Sequence, residues 1–251
     1  MNWRLVDSDL SEPAYTVAAD EAMALARSRD EVPNTLHFYR RSCPTVSLGY
    51  FQKVSDAVDM DFCRKNGIRI VRRVTGGSTI YTDEHHLIYG LALNVASIPS
   101  KRDDAFRTVC SAIVHALDEL GIQSVFKPVN DILVNGRKIS GSAQMRRWGI
   151  VLQHGTLILR NRPGMMLGAL KMDVDKIHSR GREPADYVTS LEEVLGKEPD
   201  VQKVKDALVR GFESVFDIRF NKDAFSESEN RDIQNLIETR YGLENWTMRR
   251  P

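Results

Sequence analysis

The chain has 251 residues, with 35 Lys and Arg against 34 Asp and Glu, so its formal charge is +1. That balance speaks against a nucleic-acid binder or an acidic tail, and 42% apolar residues speak against a disordered chain. No apolar run approaches the ~18 residues of a membrane span. The first residues lack the basic-then-apolar order of a secretory leader. Cys43, Cys63 and Cys110 are widely spaced, with no Cys-x-x-Cys, which argues against a disulfide framework or a zinc knuckle. The expected location is the cytoplasm.

Residues 14–29 read as the first helix, with Val17, Ala18, Ala22, Leu25 and Ala26 near helical spacing. Strands are predicted at 35–40 and 45–48, divided by a turn at Pro44. A short helix, 56–66, is stopped by Gly67. The β-branched run 68–74 enters Thr75-Gly76-Gly77-Ser78, and further strands follow at 79–82 and 87–94. The clearest helix is 102–120, where Phe106, Val109, Ile113, Leu117 and Leu120 line one face and Gly121 closes it. Asn135-Gly136 divides 132–134 from 137–140. That pair tolerates the positive φ of a type I′ turn, so a hairpin is predicted there. A strand at 151–159 and helices at 200–216 and 226–240 complete the pattern. Between them, 163–184 reads as a loop or subdomain edge carrying Met165, Met166, Lys171, Lys176, Arg180 and Arg182. Strands crowd 35–160 and helices follow, without β-α alternation. The predicted class is α+β with mixed, mostly antiparallel sheets flanked by helices, in a single domain over 1–251.

Several familiar motifs are missing. Gly136-Arg137-Lys138 is not a phosphate-binding P-loop, and neither G-x-G-x-x-G, His-Glu-x-x-His nor G-x-S-x-G occurs. His85 and His86 are adjacent, so on a strand they point to opposite faces. Three stretches do carry chemistry. In Arg72-Arg73-Val74-Thr75-Gly76-Gly77-Ser78-Thr79-Ile80-Tyr81-Thr82-Asp83, two arginines end a strand at a glycine turn. Such a turn leaves amides free for anionic oxygens, and an arginine adds a planar cationic fork. A solvated hairpin turn is the plainer reading. In Asn130-Asp131 and Arg137-Lys138-Ile139-Ser140-Gly141-Ser142-Ala143-Gln144, alternation places Lys138 and Ser140 on one face beside small residues, where a lysine could reach a ligand. A surface lysine is again the plainer reading. The third stretch is Gln153-His154-Gly155-Thr156-Leu157.

In this order and spacing the three stretches resemble the lipoate–protein ligase A family, whose patterns are R-R-x-S/T-G-G-G-x-x-F/Y-H-D, N-D, R-K-I/L/V-x-G-S-A and H-x-G-T-L. Pro44-Thr45-Val46-Ser47-Leu48-Gly49-Tyr50-Phe51-Gln52 and Tyr187-Val188-Thr189-Ser190-Leu191 extend the likeness over almost the whole chain. The resemblance implies a catalytic domain of the biotin and lipoate ligase superfamily and a two-step reaction. Lipoate and ATP, with Mg2+, form lipoyl-AMP. The adenylate then acylates a lysine of a lipoyl domain of a 2-oxoacid dehydrogenase E2 subunit, or of the glycine-cleavage H protein. By matching positions, it implies Lys138 as the catalytic residue. Arg73, Thr75, Gly76, Gly77, Ser78, Tyr81, Asn130, Asp131, Ser140, Gly141, His154 and Gly155 are implied as substrate- and adenylate-binding, with Asp131 as a Mg2+ ligand. Lys138, Arg73, the loop amides and magnesium would offset the charge that develops on phosphate. Strand positions suggest Phe38, Val46, Leu48, Val71 and Ile80 as walls of an apolar acyl tunnel.

Two positions depart from the family pattern. Ser78 stands for the third glycine, where a Cβ penalises positive φ, and Thr82 stands for the histidine. Ending at Pro251, the chain is similar to a two-polypeptide arrangement, which implies a separate small accessory subunit. The competing readings are an octanoyl or lipoyl transferase that needs no ATP, and a non-catalytic binder of lipoate or lipoyl domains. The transferase would need an acyl-carrying cysteine, and the loop before the Lys138 hairpin has none.

Overall fold

In the computed structural model of the chain, residues 2–171, 183 and 186–251 are described. Lys176, Arg180 and Arg182, singled out in the sequence, lie outside them. Strand β1 (Asn2–Ser11) opens the chain, followed by helix α1 (Pro13–Ser28), β2 (Thr35–Arg41) and β3 (Thr45–Leu48). Next come the short helices α2 (Val54–Ala57) and α3 (Met60–Lys65), then β4 (Arg69–Arg72), β5 (Ile80–Thr82) and β6 (His86–Asn94). Helix α4 (Arg102–Glu119) leads to β7 (Val125–Lys127), β8 (Asp131–Val134), β9 (Arg137–Arg147) and β10 (Ile150–Ile158). The remainder is helical apart from β11 (Arg219–Asp223): α5 (Pro163–Ala169), α6 (Leu191–Leu195), α7 (Val201–Phe216), α8 (Glu227–Leu236) and α9 (Glu244–Met248).

The strands form an eight-stranded sheet, ordered β11-β1-β2-β6-β10-β9-β8-β7, and a three-stranded sheet, β4-β3-β5. β1 runs parallel to both β11 and β2, and β4 parallel to β3; the other pairings are antiparallel. The α+β expectation with mixed, mostly antiparallel sheets therefore holds. One face of the large sheet packs on α4 and α7, where Leu36, Phe38, Leu91, Val109, Ile113, Leu208 and Phe212 are buried together. The other face is covered by α1 and by the small sheet. Alanines at 18, 19, 22 and 24 of α1 are fully buried. Their small side chains let the helix lie close to the strands.

Three local differences from the sequence reading have physical causes. β1 was not foreseen, because its partners include residues 219–223, far along the chain; Trp3 anchors it with its ring 4.8 Å from Phe216. The helix expected at 56–66 is two helices, because the Asp59 carboxylate accepts from the Phe62 amide at 2.8 Å and starts a new one. Val58, between them, is extended and bridges Leu170. The helix expected at 226–240 ends at Leu236 in a π-helical turn. Its start is set by a capping box of Ser226 and Glu229. The predicted hairpin turn is present: Asn135 and Gly136 have φ of 48° and 76°. Among the described residues no helix is long and apolar enough to cross a membrane.

Candidate active site

Alternation along the large sheet builds the floor of a cavity of about 480 Å³ between the two sheets. One row of paired residues runs Tyr39, Ile88, Thr156, Gly141 across β2, β6, β10 and β9. The next row contains His154 and Ala143, and residues two positions the other way add Arg41, His86 and Ile158. Ser47, Arg73, Gly77, Ser78, Ile80 and Tyr81, from the small sheet and its glycine turn, form the roof.

Lys138 stands at one end. Its Nζ lies 2.7 Å from Asp131 Oδ1, with the two side chains 24% and 20% exposed. The main chain pins it. The Lys138 amide donates to the Tyr187 carbonyl at 3.2 Å, and its carbonyl accepts from the Thr189 amide at 2.8 Å. The Tyr187–Thr189 stretch noted in the sequence thus fixes the strand that carries the lysine. Ile132 pairs with Ser140 but Leu133 pairs with Lys138, so Ile139 is an extra residue in a bulge. The bulge breaks the alternation. Lys138 faces the cavity beside Gly141, whereas Ser140 is buried away from it, against the expectation that the two share a face. The lysine lies across Gly141, where an added Cβ would come within 2.5 Å of Lys138 Cε and Nζ. Gly141→Ala is therefore expected to push the ammonium off Asp131 and cost on the order of tenfold in turnover, with little change in melting temperature. Steady-state kinetics beside a thermal melt would check it.

The glycine turn is held from below. Arg73 is 4% exposed and donates from Nη1 to the Ser47 carbonyl at 2.7 Å. Nη2 donates to the carbonyls of Gly76 at 2.7 Å and Ser78 at 2.9 Å, and Nε to Thr75 Oγ1 at 3.0 Å. Burial and the neighbouring Arg41 bring its pKa down to about 10. The fork foreseen as an anion ligand is spent on shaping the turn. Thr75 Oγ1, which receives the Arg73 Nε–H, also lies 2.7 Å from His154 Nε2, and His154 Nδ1 lies 2.7 Å from Asp20 Oδ2. Burial opposes a charge on Asp20, but the hydrogen bond from His154 and the nearby His37 outweigh it and hold the carboxyl below the usual range. Both nitrogens of His154 are thus engaged, and its imidazole braces the turn.

Gly77 has a φ of 90°, a conformation that favours glycine. Ser78 is not in that region, so the expected Cβ penalty does not arise. Thr82 is fully buried, 3.4 Å from the Thr45 carbonyl, and does not line the cavity. An imidazole reaches the cavity from His86 instead, with Nδ1 2.8 Å from Asp83 Oδ1. Burial would raise the Asp83 pKa, but the His86 contact brings it to about 2. Tyr81 lines the roof and donates to Asp83 Oδ2 at 3.2 Å. Asn130 Nδ2 donates to the Ser142 carbonyl, and Asn130, Asp131 and Gly155 line the cavity, whereas Thr75 and Gly76 sit behind it.

Of the five proposed tunnel residues only Ile80 lines the cavity; Phe38, Val46, Leu48 and Val71 face apolar clusters elsewhere. Sequence reasoning missed Asp20, Tyr39, Arg41 and His86. Another buried group, Arg72, is fully enclosed and donates to the carbonyls of Gly49 at 2.9 Å, Gln52 at 2.7 Å and Thr247 at 2.9 Å. It ties the rim of the glycine turn to α9.

Among the described residues no three His, Cys, Asp or Glu side chains cluster as a metal site. Asp131 already faces an ammonium. A magnesium ion there would have this one nearby carboxylate and would draw its remaining oxygens from phosphates and water. No cysteine lines the cavity. Cys110 lies behind it, with Sγ 3.9 Å from Ser142 Oγ, and burial pushes its thiol up to about 12; burial raises Cys63 to about 11. Iodoacetamide on the native protein at neutral pH is expected to label only the half-buried Cys43, giving a single adduct by intact mass.

Known proteins share this architecture. The octanoyltransferase LipM of Symbiobacterium thermophilum is 31% identical over 277 residues, spanning 99% of both chains. A bi-partite lipoate protein ligase from Thermoplasma acidophilum, described with its E2 lipoyl domain, superposes with a TM-score of 0.86 at 28% identity, covering 99% of this chain and 96% of that one. A lipoate-protein ligase A bound with ATP superposes with a TM-score of 0.85 at 27% identity over 99% of each. The family model of the lipoyl protein ligase A/B catalytic domain matches residues 12–213, and with the cavity, the Lys138 end and the braced glycine turn in place, the chain belongs to that family of acyl-transferring enzymes.

Proposed function

We propose that the chain, acting as one catalytic domain, transfers a medium-chain acyl group, octanoyl or lipoyl, from an already activated donor to the target lysine of a lipoyl domain or of a glycine-cleavage H protein, without ATP. The observation that carries this reading is the position of Lys138. Its ammonium stands at one end of the cavity, on the same floor as Ile88, Thr156 and Ile158, where an acyl carbonyl would lie with its chain along the sheet. The likeness to octanoyltransferases along the whole chain supports the ATP-free form. With a thioester donor, the neutral acceptor amine attacks the acyl carbonyl, the C–N bond forms, the C–S bond breaks, and the amine proton ends on the departing thiol. Lys138 offsets the charge on the carbonyl oxygen. No thiol lines the cavity to carry the acyl group, so this reading requires a direct attack and dispenses with the acyl-carrying cysteine expected of a transferase from the sequence.

That same lack of a thiol favours a second reading, in which the chain uses ATP and Mg2+ to make lipoyl-AMP and transfers the acyl group from it. Intact-mass spectrometry of an apo lipoyl domain separates the two. Modification with an octanoyl or lipoyl carrier thioester and no nucleotide supports transfer. Modification only with lipoate and Mg-ATP supports the ligase. If only synthetic lipoyl-adenylate works, activation belongs to a separate accessory subunit. An acceptor left unmodified in all three would overturn both.

A further inference from the structure

During transfer the amine nitrogen sheds a proton and the departing thiol gains one, so a carrier is needed between them. Lys138 is a cation turned to the acyl oxygen, and Asp131 is paired with Lys138. Two imidazoles line the cavity, those of His86 and His154. Both nitrogens of His154 are engaged, by Thr75 and Asp20. His86 differs. Its Nδ1 lies 2.8 Å from Asp83 Oδ1, while its Nε2 has no hydrogen-bond partner among the described residues and is not sealed off from the cavity. Asp83 is fully buried and held at both oxygens: Oδ1 also accepts from the His85 amide at 2.9 Å, and Oδ2 from the Tyr81 hydroxyl at 3.2 Å. The Tyr81 ring meets the imidazole edge-on, with ring centres 6.1 Å apart. A carboxylate only accepts, so the Asp83 contact uses the Nδ1 hydrogen, and Nε2 is the nitrogen left to take a proton. An accessible base, oriented by a buried carboxylate that is itself fixed, is the arrangement that proton transfer requires.

Sheet register places this base across from Lys138. His86 pairs with Ile158 on β10. On the other side of β10 the same level falls at the Ile139 bulge, next to Lys138, because Leu157 pairs with Ser140. Two strand spacings, ~10 Å, separate the strands that carry His86 and Lys138. Both side chains line the cavity, and Ile158 lies between them on its floor. The gap has room for one tetrahedral carbon, its oxygen toward Lys138 and its nitrogen toward His86. We infer that His86, oriented by Asp83, is the general base of the transfer step. His86 Nε2 takes the proton from the amine nitrogen as the C–N bond forms. The C–S bond then breaks, and the imidazolium passes the proton to the departing thiolate, so the enzyme ends unchanged. This inference rests on the acyl-transfer reading and adds the carrier of its proton.

Single-turnover transfer from an octanoyl carrier thioester to an apo lipoyl domain, read by intact mass, tests it. His86→Asn keeps an amide donor toward Asp83 and removes the base. Expected is a loss of ~10²-fold with the melting temperature of wild type. Free imidazole should restore part of the rate, which a purely structural role of His86 would not allow. Should the variant fail to fold, the wild-type protein decides. Diethyl pyrocarbonate acylates free imidazole nitrogens, and loss of transfer should track the adduct on His86, located by fragment mass. A His86→Asn rate within threefold of wild type, a loss that imidazole leaves unchanged, an unmodified His86, or transfer that survives the His86 adduct overturns the base and leaves acyl transfer standing. A lipoyl domain left unmodified by the wild-type protein overturns the acyl-transfer reading, and this inference with it.

Discussion

Lys138→Ala should lower acyl transfer by ~10²–10³-fold while the protein keeps its fold, the loss typical of removing one preorganised group from a developing oxyanion. The lysine is well placed for that role and poorly placed for a structural one. Its side chain packs over Gly141, and its one ionic partner among the described residues, Asp131, is itself partly exposed. Once the ammonium is gone, water can solvate Asp131, so the melting temperature should change little. Lys138→Arg should restore only part of the rate, since a planar guanidinium cannot lie in the narrow space over Gly141 as an ammonium does. Single-turnover transfer rates with a fixed donor would measure both variants. A Lys138→Ala rate within threefold of wild type would remove the lysine from the mechanism.

The largest effect on stability is expected far from the cavity. Arg4 and Glu229 are 3% and 0% exposed and meet through two hydrogen bonds, of 2.8 and 2.5 Å. Arg4 Nε also donates to Thr35 Oγ1 at 3.1 Å, and Glu229 Oε2 accepts from the Ser226 amide at 2.8 Å, closing the capping box of α8. Glu229→Ala strands a guanidinium among β1, β2 and α8 and opens the cap at the same time. The expected loss is ~3–5 kcal/mol. Replacing both partners with apolar residues, Arg4→Met with Glu229→Leu, should recover much of it, because no buried charge then lacks a partner. Urea unfolding of wild type, single and double variants reads this directly. A single variant within ~1 kcal/mol of wild type would show that the pair contributes like an exposed one.

The parts of the site that were legible in the sequence are those whose residues are close in the chain. The glycine turn, the Lys138 hairpin with its Asn-Gly bend, and the β10 stretch around His154 could all be read locally. The walls between them could not. Asp20 reaches His154 from α1, and Arg41 and His86 come from strands whose order in the sheet no local pattern specifies. The mistaken tunnel residues follow from parity. Phe38 and Tyr39, and likewise Val46 and Ser47, point to opposite faces of their strands. The apolar member of each pair went to a core, and the more polar one faces the cavity. A ligand cavity between two sheets resembles, in binary pattern, a face turned to solvent. The bulge at Ile139, which reverses which residues share a face with Lys138, has no marker in its own residue types.

Arg72 joins segments from opposite ends of the sequence. Its guanidinium spends its protons on the carbonyls of Gly49 and Gln52 on one side and Thr247 on the other. The amides of these two segments are therefore expected to exchange together, in one cooperative opening rather than two. The closing turn of the chain and the lip of the cavity should breathe at a common rate. A tag, a nick or a binding partner that strains α9 would then be felt as a change in how often the cavity mouth stands open.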